Sequence, residues 1–171
     1  RCRSRRGLRR AAWPRAGCYD EASPAPAAKH PDVIPDVIPH PVEQWHRIVQ
    51  RRDLAALQRL LADDVVFVSP VVHTPQRGRA ITLAYLQAAM RVLNNASFRY
   101  ASQWFGPDSA VLEFECELDG IGVNGVDLIH WNADGLIDQF KVMVRPLKAV
   151  NKVHEQMAAE LQRTAAPAQR A

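Results

Sequence analysis

Cysteine is scarce: Cys2, Cys18 and Cys116 are the only three among 171 residues. Thiols this few and this scattered exclude a disulfide framework and a structural zinc site, and the compartment they fit is a reducing, cytoplasmic one. Long apolar runs are missing as well. None approaches the roughly 18 residues that a membrane-spanning helix needs, so no membrane partner is expected. Acidic residues are absent from positions 1–18, which carry seven arginines. That segment supplies the positive balance of the chain, because residues 40–162 hold 12 Lys and Arg against 14 Asp and Glu. A folded part of net charge −2 disfavours nucleic acid as a partner. Also lacking are HExxH, CxxC, GxSxG and a Gly-rich phosphate loop. Chemistry without a metal or cofactor, or plain binding, is what these absences leave.

What is present falls into three parts. Residues 1–40 read as a disordered Arg- and Pro-rich arm, with prolines at 24, 26, 31, 35 and 39 that deny regular hydrogen bonding. Either it is an organellar transit peptide or it is an upstream extension outside the functional unit, the second preferred because no Met begins the chain. Residues 41–162 read as the folded domain and 163–171 as a disordered tail.

Within the domain, "PVEQWHRIVQRRD" has helical spacing with Pro41 at its start, and "DLAALQRLLADD" makes a second helix with Asp53 as N-cap. "VVFVSPVV" is a β-branched strand ended at Pro70, and "RAITLAYLQAAMRVLNN" is a third helix. Four strand-like runs follow, "SFRYASQWF", "AVLEFECEL", "GVDLIHW" and "LIDQFKVMV", separated by the turn compositions "GPDS", "DGIGVNG" and "NADG". A last helix begins at Pro146. This order predicts an α+β fold: a curved antiparallel sheet wrapped around helices.

Strand alternation assigns faces. Leu112, Phe114, Cys116 and Leu118 share the core side of one strand, and Phe140, Val142 and Val144 that of another. In "GVDLIHW" the sets are Asp127/Ile129/Trp131 and Val126/Leu128/His130, both largely apolar. The outer face, with Val126, Leu128, His130, Lys141, Met143 and Arg145, is therefore expected to meet a second copy of the chain in a homodimer. Glu113–Glu117 either pair with the basic residues there or stay solvated.

The stretches "RRDLAALQRLLADDVVFVSPVVHTPQRGRAI" and "GVDLIHWNADGLIDQF" resemble the nuclear transport factor 2-like superfamily, and within it the SnoaL-like domain. Relatives there include ketosteroid isomerases, polyketide cyclases and limonene-epoxide hydrolases. The resemblance implies a cone with a pocket between sheet and helices, lined by Trp45, Ser69, Tyr85, Leu112, Phe114, Ile129, Phe140, Val142 and Val144. It also implies positions relative to ketosteroid isomerase. Asp127 falls on that enzyme's protonated aspartic acid, Ser69 on its general base and Trp45 on its oxyanion-hole tyrosine. With one of three retained, the scaffold is expected to be shared without that chemistry.

Asp127 and His73 are the expected catalytic pair. A carboxyl facing an apolar pocket holds its proton more tightly, and a loop histidine titrates near neutrality. The competing readings are a turn-capping Asp127, a surface His73, a turn-forming Ser69, and Trp45 and Tyr85 as core alone. His46 and His154 read as solvated and His130 as interfacial. The expected function is a small-molecule pocket protein, either a cofactor-free isomerase, cyclase or hydrolase acting on a small apolar substrate, or a non-catalytic ligand-binding or accessory protein.

Overall fold

A computed structural model describes residues 38–165. The arm of 1–37 and the tail of 166–171 lie outside the described residues.

Pro39 precedes helix α1 (His40–Arg51), and Pro41 sits in its first turn, where an N–H would have no helical partner. Helix α2 (Leu54–Leu60) opens as expected, with the Asp53 carboxylate accepting from the Ala56 N–H at 2.9 Å. Strand β1 (Leu61–Val68) begins earlier than the sequence suggested and takes over the end of the expected helix. Asp63 and Asp64 point outward at an irregularity between Leu61 and Val66. A short strand β2 (Gln76–Arg77), not foreseen, folds back on β1, and helix α3 (Arg79–Val92) follows.

Strands β3 (Arg99–Phe105), β4 (Ser109–Leu118), β5 (Ile121–Trp131) and β6 (Ile137–Arg145) form the expected antiparallel meander. "DGIGVNG" is mostly strand rather than turn: only Asp119 and Gly120 turn, both at positive φ, and Ile121 already pairs with Leu118. Asn132 closes the next turn, its side-chain oxygen accepting from the N–H groups of Asp134 and Leu136. Helix α4 (Leu147–Ala165) runs past the expected end of the domain at Gln162.

The sheet order is β2-β1-β6-β5-β4-β3. The curved α+β sheet is as expected and antiparallel at every pairing but one: β1 lies parallel to β6, so the sheet is mixed. Four alternating strands bring β6 back in the direction of β1, and β2, α3 and β3–β5 together make the long connection that parallel neighbours need.

The face predictions for β4 and β5 hold. Leu112, Phe114, Cys116 and Leu118 are buried, as are Asp127, Ile129 and Trp131. Phe140 and Val142 of β6 join them, while Val144 is half-buried. Onto this concave face pack Val42, Trp45, Ile48 and Val49 of α1, Leu86 and Met90 of α3, and Val153 and Met157 of α4. Phe114 and Phe140 are each 1 % exposed, and burying such a ring contributes about 1.5–3 kcal/mol.

Candidate functional site

Between the concave face and the helices lies an apolar cavity. Its walls come from α1 (Trp45, Val49), α3 (Leu86, Ala89, Met90), α4 (Val153, Met157) and the sheet (Phe67, Phe114, Phe140, Val142), with Ser69, Pro70 and Val71 at one side. Asn94 belongs to the lining too, and its amide donates to the Val49 carbonyl at 2.6 Å, tying the end of α3 to α1. The free space is narrow. About 60 Å³ is open to the centres of water-sized molecules, within about 630 Å³ of atom-free space that includes the mouth. At ~10–15 Å³ per water by the first measure, it takes a few waters or a slender chain without rearrangement.

Among the described residues one carboxyl group reaches this cavity. Asp127 sits on β5 directly opposite Leu112 of β4 and Val142 of β6, and it is 6 % exposed. Its Oδ2 accepts a hydrogen bond from the Tyr100 hydroxyl at 3.1 Å, and that hydroxyl in turn accepts from the Trp45 indole N–H at 2.7 Å. α1, β3 and β5 thus each supply one member of a chain running N–H to O–H to carboxylate.

Two effects compete at Asp127. Burial disfavours the charged form, and the Tyr100 hydrogen bond favours it. Burial dominates, raising the pKa from 3.8 to about 7. Tyr100 is pushed well above the ordinary phenol value, first by its own burial and then by the neighbouring Asp127 charge, so it stays a neutral donor. Near neutral pH the carboxyl can therefore both release and accept a proton, while Tyr100 and Trp45 stabilise the carboxylate left behind.

Of the residues expected at the site, the structure brings together Asp127, Trp45, Ser69, Phe114, Phe140 and Val142. Leu112 and Ile129 are buried but pack into the core rather than lining the cavity. Tyr85 packs its ring at a tilt of 44° against Phe67, centroids 5.5 Å apart, and Val144 lies beyond the lining. His73 is exposed on the loop before β2, outside the cavity, whose lining that loop leaves after Val71. Ser69 uses its hydroxyl to accept from the Val71 N–H at 3.2 Å, a local turn.

His46 is not solvated as expected. It is half-buried, its ring against Tyr100 at a centroid distance of 5.2 Å. His154 is exposed. On the other face of the sheet, His130 lies 2.5 Å from Asp138 and 3.7 Å from Asp108, which together raise its pKa. Among the described residues no three His, Cys, Asp or Glu side chains gather so as to hold a metal ion.

Sequence reasoning missed Tyr100. Strict alternation backward from the inward-facing Phe105 turns Tyr100 outward. The ladder slips between Tyr100 and Ser102, however, so Tyr100 pairs with the inward-facing Phe114. The remaining signal was its chemistry, an apolar ring with a polar tip that needs a partner when buried.

A sequence profile of the SnoaL-like domain matches residues 42–140. A steroid delta-isomerase from Pseudomonas aeruginosa is 34% identical with a TM-score of 0.70, over 74% of this chain and 92% of its own. An uncharacterised protein with a cystatin-like fold from Silicibacter pomeroyi DSS-3 is 32% identical with a TM-score of 0.65, over 70% of this chain and 84% of its own. An NTF2-like protein of unknown function from Mesorhizobium loti, 23% identical with a TM-score of 0.53, shares the fold over 62% of this chain and 91% of its own. No curated protein matches. With the profile covering most of the sheet and three of the four helices, the chain belongs to the SnoaL-like domain family.

Proposed function

We propose that this protein is a cofactor-free enzyme of the isomerase, cyclase or hydrolase type, in which Asp127 exchanges a proton with a small, slender, apolar substrate. One observation carries the reading: the carboxyl group in an otherwise apolar cavity is held near neutrality and backed by Tyr100 and Trp45. The likeness to the steroid delta-isomerase from Pseudomonas aeruginosa supports proton transfer as the class of chemistry.

The route through a separate general base is not part of the proposal. Ser69 stands where that base is expected, its hydroxyl engaged with Val71, and His73 is exposed outside the cavity. Asp127 itself carries the proton, and Tyr100 holds the resulting carboxylate. A fused polycyclic substrate requires the rim at Pro70 and Val71 to give way, whereas a linear or single-ring enone or epoxide matches the free space better.

The second reading is a non-catalytic ligand-binding or accessory protein using the same cavity, favoured by the lack of a second carboxyl or an imidazole among the described residues of its walls. A thermal-shift and turnover screen against small enones, epoxides and polyketide-like aromatics separates the two. The enzyme reading expects a compound that stabilises the wild type, is turned over, and is turned over at least about 100-fold more slowly by Asp127→Asn. A compound that stabilises both proteins and is turned over by neither supports the binding reading.

A homodimer through the outer sheet face is part of the proposal. Trp104 and Met143 are 56% and 58% exposed there, and cross-strand rows join them to Val111, Leu128 and Val126. A reducing, cytoplasmic setting fits Cys116, a free thiol that burial pushes up to about 11 and so leaves unreactive.

A further inference from the structure

Helix α1 presents two consecutive side chains to Tyr100. Trp45 donates to its hydroxyl, and His46 lays its imidazole against the phenol ring, centroids 5.2 Å apart and planes tilted by 43°. Phe98 meets the same ring edge-on, also at 5.2 Å. The imidazole does not owe its place to polarity. Its Nε2 is sealed from solvent and has no hydrogen-bond partner among the described residues. Burial also lowers its pKa, which keeps the ring neutral. What it offers Tyr100 is a flat face.

Such a face matters because the bond it steadies has little slack. At 3.1 Å the Tyr100–Asp127 bond is already at the long end for a hydroxyl donor. A shift of roughly 0.5 Å in the phenol tip takes it out of range. The indole N–H alone pins the tip from one side and leaves the ring free to tilt.

We propose that His46 is a positioning residue: with Phe98 it clamps the Tyr100 ring so that the hydroxyl stays on the Asp127 carboxyl. The role rests on the Asp127 site described above, but its test needs no substrate. Asp127 faces the Tyr100 hydroxyl, and His46 reaches it only through that ring.

The experiment is a pH titration of the Asp127 carboxyl by carbon-13 NMR in the full chain, with Asp127→Asn identifying the signal. The Tyr100 bond favours the charged form, so loosening it raises the midpoint further above about 7. His46→Ala is expected to raise the midpoint by roughly one unit, as Tyr100→Phe does, and His46→Phe to restore it. If His46→Ala fails to fold, His46→Leu fills the space without a ring face, with the same shift expected. A midpoint unmoved in the Ala or Leu variant overturns the proposal. So does a His46→Phe variant that shifts as far as they do, because the nitrogens and not the ring are then what matter. His46→Phe is further expected to raise the thermal midpoint by removing a buried, unpartnered nitrogen, and a lowered one overturns the shape-only role. If the titrations come out as expected while no compound is turned over, the enzyme reading falls and the clamp stands.

Discussion

Between Leu112 and Val142 the Asp127 carboxyl loses its water and gains one phenol hydrogen bond, and the sign of the pH effect follows from that exchange. Well below pH 3.8 both folded and unfolded chains hold the proton. As pH rises, the unfolded chain releases it first, so stability falls through the interval from 3.8 to about 7. The full difference is on the order of 4 kcal/mol. Asp127→Asn is expected to abolish that fall, measured as urea unfolding free energy at pH 4.5 and pH 7.5. His46 acts in the opposite sense: its lowered pKa costs stability as pH drops below 6.5. The raised pKa of His130 gives stability that is lost as pH rises above 6.5. Both remain in the variant, so the difference between the two proteins isolates Asp127.

Tyr100→Phe strands the Trp45 N–H and removes the donor to Asp127, and a loss of about 1–3 kcal/mol is expected in the same unfolding assay. The grouping of Asp127 with Ile129 and Trp131 on one face was legible in the sequence, since alternation gives it, and the family resemblance pointed that face at the pocket. Its partner was not, because a single irregularity in β3 reverses the parity of Tyr100. His46 was misread for a related reason. Nothing in the spacing of α1 says that β3 covers that flank of the helix.

Helix α2 and strand β5 show how local signals and packing divide the work. Asp53 caps α2 through its own carboxylate, a signal carried entirely by neighbouring residues. Asp53→Ala is expected to cost about 1 kcal/mol by thermal or urea unfolding. Gly125 looks in the sequence like part of a turn, yet it sits inside β5 opposite Phe114. A Cβ added there meets the Phe114 ring at 2.5 Å and the Met143 carbonyl oxygen at 2.7 Å. The missing side chain is what lets Phe114 lie across β5 and form part of the cavity wall. Gly125→Ala is therefore expected to destabilise the protein by about 1–3 kcal/mol and to weaken any cavity ligand, checked by unfolding and by thermal shift.

At the scale of the molecule, the curved sheet buries one face against the helices and leaves apolar groups on the other. If that outer face joins two copies, Trp104→Glu combined with Met143→Glu is expected to yield a monomer in sedimentation velocity, with the circular dichroism spectrum unchanged. A wild-type chain that sediments as a monomer at tens of micromolar sinks the dimer.

The sequence by itself determined the α+β class, most of the elements, the Asp53 cap, the inward face of β4 and the two alternating sets of β5. Each of these follows from periodicity or capping among residues close in the chain. Only the tertiary structure decided that β1 lies parallel to β6 and that His73 stays outside the cavity. It alone joined Asp127 to Tyr100, 27 positions away, and Tyr100 to Trp45, 55 positions away. Those contacts depend on how the sheet curves and where one strand slips its register, and no local pattern encodes either.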